Sequence, residues 1–236
     1  MKIHRFIGDF NIREEHLRIT EDDLVNQIKN VLKLVKGEEL ILSTGSLEEA
    51  RCRIEECGKN FVEVHVVERM MNTNEPKRKV TLYLSTLKRE NFELAAQKAT
   101  EAGVRSIVPI ISSRTVKLNI STERVEKIVK EAAEQSGRGI VPAIAGVVSF
   151  EKVLPDAAKN DINIFFDGTG KQFSGAMLEG KENIGIFIGP EGGWGNKELV
   201  EAKENGFLIA GLGALTLRAE TAATIASYLA SNLING

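Results

Sequence analysis

Apolar and polar residues alternate along much of the first third of the chain, a pattern that predicts β-strands with one buried face. Strands are predicted over residues 2–10, 39–43, 51–56 and 61–68. The last two flank Cys57-Gly-Lys-Asn60, which is typical of a hairpin turn. Between the first two strands, a variant capping box at Thr20-Glu-Asp-Asp23 opens a predicted helix. Its apolar residues at helical spacing are Leu24, Ile28, Val31, Leu32 and Val35. One helix among several short strands indicates a small β-barrel, whose simplest role would be in folding or dimerisation.

Residues 71–79 are polar and lack apolar periodicity, and we interpret them as an interdomain linker. Beyond them, predicted strands alternate with predicted helices. The strands are 80–85, 106–111, 144–148, 162–166, 184–188 and 207–212, and the helices are 88–102, 122–135, 196–205 and 219–233. Such alternation predicts a mostly parallel sheet with helices on its faces. Small residues on the last helix predict close packing, either within the sheet layer or against a second subunit.

Two glycine-rich loops follow predicted strands near the C-terminus. The first is Gly189-Pro-Glu-Gly-Gly-Trp194, and the second is Gly211-Leu-Gly-Ala-Leu-Thr216. In an open α/β sheet, ligands bind at loops that follow the carboxyl ends of the strands, and glycine lets a ligand approach the backbone. The loops therefore predict one shared pocket, although a tight turn between a strand and a helix would give the first loop the same composition.

Neither loop matches a common nucleotide-binding motif. The second loop lacks the third glycine of G-x-G-x-x-G and follows the last strand instead of the first, which argues against a dinucleotide site. Gly168-Thr-Gly-Lys171 lacks both the upstream glycine and the following Ser or Thr of a P-loop. The sequence also lacks a serine nucleophile elbow.

Charge is unevenly distributed along the chain. The net charge of −2 argues against indiscriminate nucleic-acid binding. Residues 77–138 nevertheless hold 13 Lys+Arg against 7 Asp+Glu, whereas residues 1–72 hold 11 against 14. The local basic excess indicates either a surface that faces phosphate or the solvated faces of helices.

The composition, 42% hydrophobic and 27% charged, allows a sizeable core. Cys52 and Cys57 are the only cysteines, and the three histidines are scattered, so no metal site is expected. The sequence contains no apolar run near the ~18 residues of a membrane span. The N-terminus has no apolar signal-peptide core, so a cytoplasmic location is expected.

Four sequence blocks occur in a specific order. They are Gln97-Lys-Ala-Thr-Glu-Ala-Gly-Val104, Glu134-Gln-Ser-Gly-Arg138, Ile188-Gly-Pro-Glu-Gly-Gly193 and Leu217-Arg-Ala-Glu-Thr-Ala222. In these blocks the chain closely resembles the RsmE family of SPOUT-class ribosomal RNA methyltransferases. The match covers nearly the whole chain, and the last two blocks together are far more specific than any single one.

The resemblance implies S-adenosylmethionine as methyl donor, N3 of one uridine in 16S ribosomal RNA as acceptor, and a homodimer. It also implies an α/β fold of the SPOUT type in residues 73–236, a trefoil-knotted, mostly parallel sheet with helices on both faces. A PUA-like, RNA-binding β-barrel in residues 1–72 precedes it. General rules of chain topology disfavour knots, so the knot rests on the resemblance alone.

Residue-by-residue matching to the family implies a set of cofactor-binding residues. They are Ile188, Gly189, Pro190, Gly192 and Gly193 in the first loop, Leu212, Gly213 and Leu217 in the second, and Phe166 and Asp167 as a third wall. Leu215 of the second loop is also expected to bind the cofactor, although it does not match the family pattern. The chain departs from the family pattern at Ala214, Leu215 and Ala219 near the second loop, and at Gln27 and Lys33 in the barrel helix.

Methyl transfer to N3 of uracil requires alignment and a deprotonated nitrogen. We hypothesise that Arg218 stabilises the negative charge that develops on the uracil oxygens. Glu220 would orient Arg218 or accept the proton, and Glu191 is a further catalytic candidate. Each glutamate also suits a first helical turn, where the helix dipole favours a negative charge.

For RNA phosphate, the expected contacts are Arg114, Lys117 and Arg138, with Arg5 and Lys33 from the barrel. Phosphate contacts position RNA without specifying the base, so base selection would depend on RNA shape and an unstacked uridine. Two alternatives remain open. One is a SPOUT methyltransferase that acts on another nucleotide or on a ribose 2′-OH, and the other is a non-catalytic RNA-binding module.

Overall fold

A computed structural model describes residues 3–115 and 120–233, which form two compact units. The first unit consists of the residues up to Glu75 together with Ala133–Ile140. The second unit consists of Pro76–Ala132 and of the residues from Val141 onward. Within the described residues, no helix has both the length and the apolar character to cross a bilayer.

The first unit contains one five-stranded sheet and one short helix. In chain order its elements are β1 (His4–Ile7), β2 (His16–Ile19), α1 (Asp22–Asn26), a π-helical turn (Gln27–Val31), β3 (Glu39–Ser43), β4 (Glu48–Cys57) and β5 (Val62–Met71). The sheet order is β1-β3-β4-β5-β2. β1 runs parallel to β3, and the other neighbours are antiparallel. The predicted hairpin at residues 57–60 is confirmed as the β4–β5 connection.

The helix of the first unit is shorter than predicted. It loses helical geometry after Val31, and Lys33 has a left-handed φ of 55°. Val31 and Val35, which were predicted to face the core, are 65% and 60% exposed. Only Leu24, Val25 and Ile28 are buried from this segment. The predicted capping box is also wrong, because Glu21 is the N-cap and makes no side-chain cap.

The predicted linker is partly structured within the first unit. Asn72 is buried and donates to Oε1 of Glu49 at 2.9 Å and to the carbonyl oxygen of Gly137 at 3.0 Å. Oε1 of Glu134 accepts a 2.8 Å hydrogen bond from the backbone N–H of Ile7. These bonds tie Ala133–Ile140 into the first unit, although it is distant in sequence from residues 1–75.

The second unit is an α/β layer structure. In chain order its elements are β6 (Lys79–Ser85), α2 (Arg89–Ala102), β7 (Ser106–Ile111), α3 (Thr122–Ser136), β8 (Ala143–Ile144), β9 (Val148–Ser149), α4 (Phe150–Ala157), β10 (Ile162–Gln172), β11 (Asn183–Ile188), α5 (Asn196–Glu204), β12 (Leu208–Gly211) and α6 (Ala219–Asn232). Residues 133–136 of α3 lie in the first unit. The sheet order is β12-β10-β11-β6-β7-β8, with β9 also pairing with β7, and every pairing is parallel. The predicted α/β class is confirmed.

Helices cover both faces of this sheet because successive side chains of a strand point to opposite faces. Leu82 and Leu84 of β6 pack into one apolar cluster with residues of α2, α3 and α6. Tyr83 lies in a second cluster with residues of α4 and α5. On α6, Ala223 and Ala226 are fully buried, so these small residues pack inside the sheet layer. Packing within the layer was one of the two predicted alternatives.

Two stretches between α3 and β10 were predicted incorrectly. The single strand expected at 144–148 is two separate pairs of residues, β8 and β9, divided by the exposed residues 145–147. α4 was missed, although Phe150, Val153 and Ala157 are spaced on one helical face and are buried. Pro155 within the helix obscures this pattern, since proline is disfavoured in helix interiors.

Candidate functional site

Three neighbouring strands of the second unit end at one edge of its sheet. Phe166 of β10 pairs with Ile188 of β11 on one side and with Ala210 of β12 on the other. Because all three strands are parallel, the loops that leave their carboxyl ends lie side by side. A cleft of about 1070 Å³ opens there, at the upper end of the usual size for small-molecule sites.

Most sequence-predicted site residues meet in this cleft. The lining includes every residue expected to hold the cofactor, namely Phe166, Asp167, Ile188, Gly189, Pro190, Gly192, Gly193, Leu212, Gly213, Leu215 and Leu217. The three catalytic candidates, Arg218, Glu220 and Glu191, also line it, as does Arg114. Residues far apart in sequence therefore share one concave surface.

The first glycine loop is held in place by Trp194. Its indole Nε1 donates a 3.0 Å hydrogen bond to the carbonyl oxygen of Phe166, and its ring centroid lies 4.3 Å from that of Phe165. A Cβ on Gly189 would lie 3.0 Å from Nε1 of Trp194, so only glycine fits without displacement. Gly193 has a φ of +69°, which also favours glycine.

Side chains from other loops fix the outer part of the first loop. Nη1 of Arg114 donates to the carbonyl oxygen of Gly192 at 2.9 Å. Oε1 of Glu191 lies 3.4 Å from both the backbone nitrogen of Lys88 and Nδ2 of Asn91. Glu191 is therefore engaged at the start of α2, and its carboxylate holds the loop and α2 together.

The second glycine loop offers unpaired hydrogen-bond donors. Among the described residues, no partner accepts a hydrogen bond from the backbone N–H groups of 213–217. Gly213 has a φ of +124°, a conformation that L side chains rarely adopt. Backbone groups that are unpaired at the wall of a cleft suit a ligand with a polar heteroaromatic edge, and Leu212 and Leu217 offer apolar contact beside them.

Arg218 and Glu220 form an asymmetric pair at the start of α6. Nη1 of Arg218 lies 3.9 Å from Oε1 of Glu220, yet the side chains are 84% and 11% exposed. Oε2 of Glu220 is buried and has no hydrogen-bond partner. A buried polar atom without a partner is costly and rare, so this oxygen is a strong candidate to receive a ligand's proton or hydrogen bond.

Asp167 lies in a bulge of β10. Phe166 and Lys171 both pair with Ala210, so residues 167–170 stand outside the ladder. Oδ1 of Asp167 accepts from the backbone N–H and the hydroxyl of Thr169, at 2.9 and 2.6 Å. The Asp167 carboxylate thus orders the bulge in the cleft lining, and its second oxygen has no hydrogen-bond partner among the described residues.

Two of the basic residues expected to bind RNA form ion pairs inside the first unit. Arg5 makes a bidentate pair with the buried Glu49, at 2.9 and 3.1 Å. Arg138 is 4% exposed and makes a bidentate pair with Glu75, at 3.1 and 2.7 Å. Because both guanidinium groups are engaged and largely buried, the expectation that they face phosphate disagrees with this geometry. Lys33 is exposed, and Lys117 lies outside the described residues.

Sequence reasoning missed Asn91 and Glu198. Glu198 is 4% exposed, and its carboxylate accepts hydrogen bonds from Ser113 and from the backbone N–H of Gly195. The available signal was a glutamate three residues after a helix-starting glycine, a position typical of a capping glutamate. In the described part of the chain, no three His, Cys, Asp or Glu side chains form a group that could hold a metal ion.

Comparison with known proteins gives consistent results. A family model described as an RNA methyltransferase domain matches residues 73–231. The ribosomal RNA small subunit methyltransferase E of Mesomycoplasma hyopneumoniae is 31% identical over 90% of this chain and 93% of its own length. The proteins of that name from Rickettsia conorii and Bacillus subtilis are 30% and 32% identical, covering 96% and 84% of this chain and 94% and 83% of their own lengths.

Solved structures share the fold. A ribosomal RNA small subunit methyltransferase E from Neisseria gonorrhoeae, bound to S-adenosylmethionine, is 27% identical, with a TM-score of 0.86 over 96% of this chain and 95% of that one. A methyltransferase from Legionella pneumophila, with S-adenosylmethionine bound, is 26% identical, with a TM-score of 0.85 over 98% and 97%.

Proposed function

The chain belongs to the ribosomal RNA small subunit methyltransferase E (RsmE) family, and from that premise we propose which atom it methylates and which residues carry the reaction. It is an S-adenosylmethionine-dependent methyltransferase of small-subunit ribosomal RNA. We propose N3 of one uridine in 16S ribosomal RNA as the acceptor. The observation that carries this proposal is the exposed Arg218 guanidinium beside the buried, unpartnered oxygen of Glu220.

The cleft residues fit the methyl donor. Unpaired backbone N–H groups in 213–217 would bind polar edges of its adenosine, and Ile188, Leu212 and Leu217 would contact its apolar surfaces. The glycines at 189 and 213 keep side chains out of this space. Asp167 would offer its remaining carboxylate oxygen to a hydroxyl group. When bound, S-adenosylmethionine supplies an electrophilic methyl group on a sulfonium.

Methylation of the acceptor nitrogen requires the protein to accept a proton and to stabilise negative charge. N3 of uridine carries a weakly acidic proton, and its removal places negative charge on the adjacent carbonyl oxygens. Arg218, which is exposed within the cleft, would stabilise that charge. Oε2 of Glu220 would accept the proton, since a buried carboxylate oxygen without a partner is a favourable acceptor. Glu191 contributes by holding the first loop against α2.

Cations near the cleft would position the RNA. Lys88 and Arg114 are exposed residues of its lining, and Lys117 follows Arg114 closely in sequence. Residues 1–72 would form a PUA-like barrel that adds contacts through Lys33 and Arg53, both of which are exposed. Arg5 and Arg138 would support the first unit through their ion pairs.

The family resemblance also supports a trefoil knot and a homodimer. After β12 at the sheet edge, the chain returns as α6 to contact β6 and β11 in the sheet interior, as threading of the C-terminal segment requires. Tyr228 and Ile225 of α6 are apolar residues exposed to 59% and 36%, which suits contact with a second copy. A ribosomal RNA substrate accords with a cytoplasmic location.

Nucleoside analysis tests the proposed acceptor. The protein would be incubated with 16S ribosomal RNA, and separately with small ribosomal subunits, in the presence of methyl-labelled S-adenosylmethionine. Complete digestion and mass spectrometry are expected to show label in 3-methyluridine, at one position after fragment mapping. The Arg218→Ala variant serves as the inactive control. Label on a ribose 2′-oxygen or on another base would replace the proposed target with the alternative one.

A further inference from the structure

Glu198 joins two loops of the second unit through its carboxylate. Oε1 accepts a 2.7 Å hydrogen bond from the backbone N–H of Ser113, in the loop after β7. Oε2 accepts a 2.7 Å bond from the backbone N–H of Gly195, at the end of the first glycine loop, and a 3.1 Å bond from the Ser113 hydroxyl. Both carboxylate oxygens are thus occupied by backbone donors from different loops.

This junction requires a carboxylate and a glycine. A glutamine at 198 has one acceptor oxygen, so its NH₂ group would face one of the two backbone donors, Ser113 or Gly195. A Cβ at Gly195 would lie 2.5 Å from the Ser113 hydroxyl oxygen, so any larger residue would displace that hydroxyl from its bond to Glu198. Burial strengthens these bonds, because Glu198 is 4% exposed and competing water is excluded.

The residue that follows Ser113 is Arg114, which is exposed and lines the cleft. Its guanidinium donates to the carbonyl oxygen of Gly192 at 2.9 Å. The Arg114 side chain also packs next to Gly192, since a Cβ added at Gly192 would lie 3.5 Å from the Cβ of Arg114. Arg114 is therefore held at both ends: its backbone is anchored next to Ser113, and its head group rests on the first glycine loop.

We propose that Glu198 is a positioning residue that fixes Arg114 at the mouth of the cleft, where Arg114 binds a phosphate of the acceptor RNA. Nothing in Glu198 itself touches the substrate, and its effect passes through Ser113 to Arg114. The proposal rests on the proposed function for its ligand, an RNA strand. Four of the five donor hydrogens of Arg114 remain after its bond to Gly192, so a phosphate can bind without breaking that contact.

Equilibrium binding of 16S ribosomal RNA, measured against salt concentration, tests this role without requiring methyl transfer. Each phosphate contact on single-stranded RNA adds about 0.7 to the slope of log K against log salt. Arg114→Ala and Glu198→Gln are each expected to lower the slope by about 0.7, and the double variant to lower it no further than either alone. Glu201→Gln, on the same helix, is the matched control and should keep the wild-type slope. A slope that is unchanged in Glu198→Gln, or effects that add in the double variant, would overturn the proposal.

Two further measurements separate positioning from loss of fold. The affinity of Glu198→Gln for S-adenosylmethionine, measured by calorimetry, should stay within about threefold of wild type, because neither Glu198 nor Ser113 lines the cleft. Gly195→Ala should reproduce the slope change through the Ser113 clash if Glu198→Gln cannot be purified folded; a wild-type slope in Gly195→Ala contradicts the proposal. If wild-type protein binds RNA with these slopes but labels another atom, the proposed acceptor fails and the role of Glu198 stands.

Discussion

Nε1 of Trp194 donates a 3.0 Å hydrogen bond to the carbonyl oxygen of Phe166, and this bond joins the first glycine loop to the end of β10. Both residues are buried, and the Trp194 ring also packs beside Phe165 and Phe150, at centroid distances of 4.3 and 5.6 Å. The relationship fixes the two walls of the cleft relative to each other before any ligand binds.

Trp194→Phe is therefore expected to destabilise the second unit. Phenylalanine keeps an aromatic ring but leaves the Phe166 carbonyl without its donor, which costs about 1–3 kcal/mol. Thermal denaturation should show a lower midpoint, and calorimetry should show weaker binding of S-adenosylmethionine. A midpoint equal to that of wild type would mean that the hydrogen bond does not hold the loop.

Arg218→Ala should remove most methyl transfer while S-adenosylmethionine affinity stays within about tenfold, because the lost guanidinium acts on charge in the transition state. Glu220→Gln should also lower kcat, since an amide cannot accept the N3 proton. Transfer of labelled methyl groups to 16S ribosomal RNA measures both. Lys159→Ala, at an exposed ion pair in the turn after α4, is the control for the loss of a surface cation. Turnover near wild type in Arg218→Ala would refute its assigned role.

Gly213→Ala should weaken cofactor binding through backbone strain alone. No heavy atom lies within 4 Å of a Cβ at this position, but the φ of +124° disfavours any L side chain, at a cost of about 1–3 kcal/mol. Relaxation of the strain would rotate the donors of residues 213–217. Gly146→Ala is the matched control, since its Cβ also meets open space and its φ is not positive. Calorimetry that finds equal affinity in both variants would exclude this mechanism.

Leu215 is expected to contact the acceptor RNA. Its side chain is 82% exposed at the cleft, whose lining also includes the cations Lys88 and Arg114, and an apolar side chain in a cleft with cations suits an unstacked base. Leu215→Ala should raise the KM for RNA by about threefold to tenfold, an effect of about 1 kcal/mol. Val200→Ala, on α5, is the control for an exposed apolar residue. If S-adenosylmethionine affinity falls instead, Leu215 contacts the cofactor, as expected from its place in the second glycine loop.

The Cys52 thiol should resist alkylation in the native protein. Burial raises its pKa to about 12, so almost none is present as the reactive thiolate at pH 8. The partly exposed Cys57 should react first. Thiol titration with and without denaturant measures the difference, and rapid reaction of both cysteines in the folded state would indicate that the β4 side of the first unit opens.

Long, strongly patterned elements were predictable because their own residues specify them. β6, β7, β11, α2 and α6 begin and end within a residue or two of the predicted limits. The failures lie where partners outside the element decide. The helical segment that begins with α1 ends early because the chain turns at Lys33, which has a left-handed φ of 55°. Leu32 and Leu34 still pack against the core, and Val31 and Val35 are left in solvent. β2 was missed because it is four residues long and is completed by pairing with β5.

The candidate site likewise contains features that local sequence specifies and features that depend on residues distant in sequence. The glycine loops, Arg218 and Glu220 stand out in the sequence because their residue types and spacing carry a family pattern. The bond of Arg114 to Gly192, the ion pairs of Arg5 with Glu49 and of Arg138 with Glu75, and the bonds of Glu198 to Ser113 have no local pattern. Each depends on the meeting of residues tens of positions apart.

The sequence by itself thus determined the α/β class and the alternation of strands and helices, which follow from periodicity, and the cofactor, which the family resemblance implies through motifs of adjacent residues. Only the tertiary structure decided which charged side chains form internal ion pairs and which of them line the cleft. A charged side chain has the same sequence signature in both cases, and burial beside a partner, such as Glu75 with Arg138, separates them.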